Sequence, residues 1–202
     1  MKFSERYSIN LDFVADMAWI EAALFHPETG PFREYSSELL RKIHAYAEDR
    51  NIEARDMFLR YVAAMNDVPL TFSFRALEVA RGLVGALGFH WTDFGDAIAP
   101  LLNVLRRSDC PDDLRGIIFA ALGCLDADAV IPDCMDVLCN AQSSDYVRDL
   151  AIGCLLSLAK IYDRKRVTAI TRALQLPKQL TLDAVKERSQ LAQFFASLAV
   201  ED

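Results

Sequence analysis

The sequence predicts an all-α fold, in the form of a short right-handed α-solenoid of stacked helical hairpins. Apolar residues recur at helical spacing along almost the whole chain, and no strand-like alternation of useful length interrupts them. Segments 112–123 and 144–155 are variants of one template, and a weaker copy occupies residues 74–88. Self-similarity at a spacing of about 33–40 residues is typical of helical hairpins that stack on one another.

We expect the 202 residues to form a single all-helical domain. Residues 1–70 diverge from the template and are predicted to form an N-terminal helical cap, whereas residues 71–176 form the repeats. Residues 177–202 are predicted to form a C-terminal capping helix that starts at Thr181, after a break at residues 176–178. Terminal units that depart from the template are expected, because the outermost faces of a solenoid meet water.

Three helices are predicted in the N-terminal part. Ser8 is expected to cap the first one, whose apolar stripe is formed by Leu11, Val14, Ala18 and Ala22. Phe13, Met17, Ile20 and Leu24 are predicted to widen this stripe. The prolines and the glycine within residues 26–31 end this helix. Ser36 or Ser37 is expected to cap the second helix, and Asn51 to open the third.

In the repeats, the second helix of each hairpin is predicted to open at an acidic residue. Asp96 and Asp128 are each followed four positions later by a proline. Pro100 and Pro132 therefore fall near the first turn, where a missing N–H costs little. The corresponding helix of the third unit opens at Asp163 and has no proline.

Residues 112–115 (Asp-Asp-Leu-Arg), 120–123 (Ala-Ala-Leu-Gly) and 128–132 together resemble a HEAT repeat. The resemblance to this armadillo-like solenoid family is best over residues 109–174 and looser over residues 72–107. It implies that the second helices of the hairpins line a concave side, and that this surface holds another macromolecule.

The resemblance also implies structural roles for individual residues. Arg115 and Arg148, near the starts of first helices, are expected to reach acids of an adjoining repeat. Gly123 is expected to adopt the left-handed conformation that ends a helix. Asp128 and Asp163 are expected to cap the second helices or to complement their dipoles.

The chain is acidic, with a formal net charge of −7. Residues 68–142 hold five arginines against ten acids, whereas residues 143–202 hold nine bases against seven acids. An acidic middle repels phosphate backbones and attracts a basic partner. We therefore expect a protein partner and no nucleic acid.

The chemistry-bearing residues form no recognisable catalytic or metal-binding pattern. His26, His44 and His90 lie on separate segments, and none has a cysteine or a second histidine at a metal-binding spacing. No phosphate-binding glycine loop or nucleophile motif is present. We therefore predict no enzyme activity, no cofactor and no metal site.

Five cysteines are expected to be reduced, and most of them to be buried. Cys110 precedes Pro111 at a predicted helix start, where a thiolate is favoured. Two interpretations stay open for Cys110, a reactive thiol and a plain turn residue, of which the second is favoured.

The predicted binding surface lies on the outward faces of the second helices. Its polar residues, from three successive repeats, are Asn103, Arg106, Arg107, Asp133, Asp136, Asn140, Arg166 and Arg172. Aromatic residues supply much of the binding energy at protein interfaces. Trp91 is the candidate anchor, because residues 89–91 are predicted to form a turn between helices. The alternative for Trp91 is a core residue that closes the hairpin, and further aromatic candidates are Trp19, Phe89, Phe94 and Tyr146.

These patterns predict a cytoplasmic, non-enzymatic protein-binding module, most concretely an immunity-type protein that binds and neutralises a basic toxin. One alternative is a HEAT-like enzyme of the lyase or DNA glycosylase type, which needs a buried carboxylate or a reactive cysteine, such as Asp133 or Cys110. The other is a scaffold or adaptor subunit of a larger complex. The N-terminus lacks an apolar signal core and no apolar run is long enough to cross a bilayer, so neither export nor a membrane partner is expected.

Overall fold

The computed structural model describes residues 2–26, 36–140, 142–175, 185 and 187–198. Within these residues the protein is all-α, with eleven α-helices and no strand, as the sequence predicts. The helices are α1 (Phe3–Arg6), α2 (Phe13–Phe25), α3 (Ser36–Glu48), α4 (Ile52–Ala64), α5 (Phe74–His90), α6 (Ile98–Leu105), α7 (Asp112–Cys124), α8 (Ile131–Cys139), α9 (Asp145–Leu158), α10 (Arg164–Gln175) and α11 (Arg188–Leu198). No helix in the described ranges is both long and apolar enough to cross a membrane.

Helices α3, α5, α7 and α9 pack against one another in chain order. Each helix between them packs on the helix that follows it in the chain: α4 on α5, α6 on α7 and α8 on α9. One continuous apolar core results, whose largest fully buried side chains include Tyr46, Phe58, Trp91, Phe119 and Phe195.

Side-chain caps fix several of the helix starts. Asn51 accepts a hydrogen bond from the Ala54 N–H at 2.9 Å, and Asp163 accepts one from the Arg166 N–H at 2.9 Å. Both starts confirm the sequence prediction. The expected cap at Ser8 is wrong, because α2 begins after Asp12, whose carboxylate accepts from the Ala15 N–H.

Part of the stripe predicted for α2 is buried and part is exposed. Met17, Ile20 and Leu24 are buried, as predicted, because the core lies on the side of α2 that faces α3 and α5. Val14, in contrast, is 77% exposed, and Ala18 is exposed as well. The apolar residues of α2 extend around much of the helix, so periodicity did not identify which of them meet solvent.

Three first helices end in the same turn. A non-glycine residue with positive φ follows α3, α7 and α9, namely Arg50 (51°), Asp126 (59°) and Lys160 (56°). In each case the next N–H bonds back to a carbonyl five residues earlier, for example from Ala127 to Leu122 at 3.1 Å. This is the Schellman arrangement. The shared turn makes α3/α4 a hairpin of the same type as α7/α8 and α9/α10, although residues 1–70 lack the sequence template.

The role expected of Gly123 is therefore wrong. Gly123 lies inside α7, and the left-handed residue is Asp126. A Cβ atom at Gly123 would lie 3.1 Å from the Cα of Cys154 in α9. The glycine is thus required for the close approach of two helices.

The last part of the chain is described only in part. The predicted start at Thr181 and the break at residues 176–178 lie outside the described residues. Within α11, Leu191 and Phe195 are buried, as the amphipathic pattern indicates.

Candidate functional site

Six of the eight residues of the predicted surface are exposed, and Arg107 and Asp133 are partly buried. Asn103 lies in α6, Asp136 in α8, and Asn140 directly after α8. The side-chain oxygen of Asn140 accepts a hydrogen bond from the Gln142 N–H at 3.0 Å, which fixes the turn there. Arg166 and Arg172 are exposed on α10.

Arg106 and Asp133 are paired with each other. The Arg106 Nε donates to Asp133 Oδ1 at 2.9 Å and its Nη2 to Oδ2 at 2.8 Å, a bidentate contact. Nη2 also donates to the carbonyl of Ala129. The hydrogen bonds that Arg106 donates to Asp133 raise the pKa of Arg106. This contact joins the end of α6 to α8, so the two charges neutralise each other on the surface.

Arg107 is also engaged within the protein. Its guanidinium binds Asp109 through two nitrogens and donates to the carbonyls of Met65 and Asn66 at 2.8 and 2.7 Å. Hydrogen bonds from Arg107 and from the Leu70 N–H hold the pKa of Asp109 well below its usual range. Arg107 therefore ties the turn after α6 to the end of α4, and it is only partly exposed.

Trp91 is not an anchor for a partner. Its side chain is 1% exposed, and its ring meets Phe58 edge-on with the centroids 6.0 Å apart. The predicted turn at residues 89–91 is wrong because α5 continues to His90. Phe89 is exposed on the last turn of α5, and Trp91 fills the core below the hairpin.

Arg115 and Cys110 meet at the loop before α7. Arg115 does not bind an acid of an adjoining repeat, because its Nη2 points to the carbonyls of Arg107 and Cys110 at 3.4 Å. Burial raises the pKa of the Cys110 thiol to about 11. This burial favours the protonated thiol, which supports the interpretation of Cys110 as a turn residue over that of a reactive thiolate.

The five cysteines are free thiols, and their burial is mixed. Cys110, Cys134 and Cys154 are buried, whereas Cys124 and Cys139 are exposed. Asp128 makes no side-chain cap, so that part of its expected role is wrong; it lies in the turn directly before α8 and forms an ion pair with Arg188 of α11 at 2.6 Å.

An exposed tyrosine lies among carboxylates at the starts of α7 and α9. The Tyr146 side chain is 41% exposed and crosses Gly116, where a Cβ atom would lie 2.6 Å from the ring. Asp112 and Asp113 precede Gly116 by one helical turn, and Asp145 precedes Tyr146 directly. Within the described part of the chain, no basic side chain forms an ion pair with these three carboxylates. We call Tyr146, Asp112, Asp113 and Asp145 the acidic–aromatic surface.

A second group of side chains converges where α3 and α5 end. His44 and Glu48 are one turn apart on α3, and His90 is the last residue of α5. Their ligand atoms all lie within 4.8 Å of one another. The His44 Nε2 is 3.5 Å from Glu48 Oε1, and the His90 Nδ1 is 3.9 Å from the same oxygen. We call these three residues the histidine–glutamate cluster.

The histidine–glutamate cluster lies at the edge of a groove of about 410 Å³ between α3 and α5. The floor of the groove is formed by small residues of α5, among them Gly82 and Gly85, and Glu78 and Arg81 lie on its wall. His44 and His90 both line this groove. Burial lowers the pKa of His90, and electrostatic interactions with His44 and Arg50 act in the same direction, while Glu48 opposes them.

His44 and His90 lie on separate segments of the sequence, and the structure brings their ring centroids to 5.4 Å from each other. The pairing of His44 with Glu48 could be predicted from the sequence, because residues four positions apart on a helix share one face. The approach of His90 could not, because it depends on the packing of α3 on α5, and α4 separates these two helices in the sequence.

No protein-family model matches this chain, and no curated protein or solved structure matches it.

Proposed function

We propose that this protein is a non-enzymatic binding module that holds another protein, most concretely an immunity-type protein that binds and neutralises a basic toxin. The observation that carries this proposal is the acidic–aromatic surface. An exposed tyrosine surrounded by carboxylates offers an apolar anchor inside a field of one sign. Such a surface selects and steers a cationic partner.

The helix packing supports a solenoid of HEAT-like hairpins as the scaffold of this module. Helices α3, α5, α7 and α9 neighbour one another in chain order, and three hairpins share one turn geometry. In such a row, the starts of α7 and α9 lie at the same end of the hairpins. In this proposal the partner binds at this end of the first helices. The second helices are less suited to a charged partner, because Arg106 and Asp133 already form an ion pair with each other there.

The enzyme alternative gains no support from the residues it relies on. A lyase or glycosylase needs a buried carboxylate or a reactive cysteine, whereas Cys110 is buried with a raised thiol pKa and Asp133 binds Arg106. A scaffold or adaptor subunit would use the same surface, and it differs from the immunity-type proposal in the partner that it holds.

Partner capture tests the proposal directly. The protein is used as bait in an extract of its native host at low salt, and a bound basic protein is then produced pure and titrated. We expect Tyr146→Ala to weaken binding at least about tenfold, because a buried aromatic anchor contributes more than about 1.4 kcal/mol. Asp113→Lys should weaken binding further and reduce its dependence on salt.

Tyr162→Ala is the matched control, because Tyr162 is a 72% exposed tyrosine that follows α9 and lies beside basic residues. It should leave the affinity unchanged. Co-expression with the partner should also protect the host cell if the partner is a toxin. The proposal is contradicted if no protein partner is recovered. It is also contradicted if the recovered partner is acidic and still binds the Tyr146→Ala variant.

A further inference from the structure

The histidine–glutamate cluster brings two imidazoles to one carboxylate oxygen. His44 and Glu48 alone would be an ordinary contact within a helix, worth a few tenths of a kcal/mol. His90 comes from a different helix and points its Nδ1 at the same Oε1. One carboxylate oxygen with two nitrogen neighbours at 3.5 and 3.9 Å is a donor set that a metal ion can use.

The spacing of these atoms fits a tetrahedral ion. Zinc bonds to nitrogen and oxygen are about 2.0–2.2 Å long, which places neighbouring ligand atoms about 3.4 Å apart. The His44–Glu48 distance already has this value within a tenth of an ångström, and the His90–Glu48 distance exceeds it by about 0.5 Å. The two histidines need the larger adjustment, which rotation of the half-exposed His44 ring provides.

The surroundings suit an ion that prefers nitrogen ligands. Two imidazoles and one carboxylate favour Zn²⁺ and similar transition metals, whereas Mg²⁺ and Ca²⁺ prefer oxygen ligands. The His44 ring also meets Phe3 edge-on, with the centroids 5.0 Å apart. Besides burial, the positive charge of Arg50 lowers the pKa of His90, and the Arg50 guanidinium forms an ion pair with Asp93 at 2.8 Å.

We propose that His44, Glu48 and His90 bind one Zn²⁺ ion, which links α3 to α5 and keeps its fourth coordination position open to the groove. Three protein ligands and one open position are the pattern of zinc sites that bind a further molecule. The fourth position would be taken by water or by an anionic group that enters the groove beside Arg81. This site is separate from the acidic–aromatic surface, and it does not depend on the proposed partner.

Metal binding is measured on the full chain, with any affinity tag removed and after treatment with a chelator. We expect calorimetric titration with ZnCl₂ to give one ion per chain, and MgCl₂ to give no competition. Removal of a residue that only hydrogen-bonds a metal ligand already lowers metal affinity by about 10–100-fold. His90→Ala, which removes a ligand, should therefore weaken binding by at least about a hundredfold, and Glu48→Gln should also weaken it strongly.

Two controls separate this site from other zinc donors. His26→Ala removes the one histidine outside the cluster and should leave the affinity unchanged. Cys124→Ser with Cys139→Ser removes both exposed thiols and should also leave it unchanged. A visible Co²⁺ spectrum without the strong thiolate charge-transfer band would identify nitrogen and oxygen ligands.

Unfolding in urea gives an independent measurement. Zinc should raise the urea midpoint of the parent protein, because an ion that binds only the folded state stabilises it. It should not raise the midpoint of Glu48→Gln, a substitution of an exposed side chain that leaves the core intact. Absence of binding at micromolar Zn²⁺, binding that survives His90→Ala, or binding lost in the double serine variant would each overturn the proposal.

Discussion

Asp16 is a buried carboxylate that organises the contact between α2 and α3. Its side chain is almost fully buried and binds the Lys42 ammonium at 2.6 Å and the Tyr46 hydroxyl at 2.8 Å. The Asp12 N–H donates to the same carboxylate at 2.9 Å. Burial, and then the hydrogen bond to Asp16, raises the pKa of Tyr46 well above its usual range. The polar atoms of this network thus satisfy each other away from water.

Asp16→Ala should lower the free energy of unfolding by about 3–5 kcal/mol, because it leaves the buried Lys42 ammonium without its counter-charge. Tyr46→Phe, which removes one hydrogen bond, should cost about 1 kcal/mol. Urea denaturation followed by circular dichroism measures both.

Lys42→Met supplies the control for this prediction. Combined with Asp16→Ala, it removes both charges, and the double variant should be more stable than the sum of the two single changes predicts. A cost below about 1 kcal/mol for Asp16→Ala would show that the ion pair is dispensable.

At the level of the helices, small residues set how closely the first helices pack. A Cβ atom on Gly88 of α5 would lie 2.3 Å from the Cβ of Ala121 and 2.6 Å from its Cα in α7. Gly123 meets Cys154 of α9 in the same way, one helix further along. The Ala-Leu-Gly motif of the repeats thus marks the contact between successive first helices.

Gly88→Ala should destabilise the protein by about 1–3 kcal/mol, because the added methyl group meets backbone atoms and the two helices have to separate. Gly153→Ala is the matched control, since Gly153 is an exposed helical glycine with nothing within 4 Å of an added Cβ. It should be neutral or stabilise the protein by up to about 1 kcal/mol. Equal effects of the two substitutions on the urea midpoint would disprove the close contact.

At the level of the whole molecule, Asp126 joins three parts of the chain. It follows α7, binds the Lys160 ammonium after α9 at 2.7 Å, and binds the Arg188 guanidinium of α11 at 2.7 and 3.0 Å. Hydrogen bonds from Arg188 and then from Lys160 lower the pKa of Asp126 to about 2. The contact therefore holds the last described helix to the turns of two hairpins.

Asp126→Asn should remove these ion pairs and keep the turn, since asparagine tolerates a positive φ. The loss in stability at pH 7 should be at most about 1 kcal/mol, because the groups are partly exposed. The pKa of Asp126 is lower in the folded state than in the unfolded one, so its stabilising effect is full above about pH 4 and disappears as the pH falls towards 2.

Thermal unfolding between pH 2 and pH 7 measures this difference. The melting temperatures of the parent and of Asp126→Asn should converge near pH 2. Asp136→Asn, which changes an exposed carboxylate of α8, should match the parent throughout. A difference in melting temperature between the parent and Asp126→Asn that does not change with pH would contradict the stabilising role of the Asp126 ion pairs.

The sequence alone determined that the chain is helical and where several helices begin. Asn51 and Asp163 were recognisable as caps because a cap is a local hydrogen bond between residues three positions apart. The aligned prolines Pro100 and Pro132 lie in the first turns of α6 and α8, as predicted, but these helices begin at Ile98 and Ile131 and not at the acidic residues Asp96 and Asp128. Only the tertiary structure decided that Trp91 is buried, that Arg106 binds Asp133 and that His44 meets His90. Each of these contacts joins residues from different elements, and such contacts depend on which faces pack together, which helical periodicity leaves open.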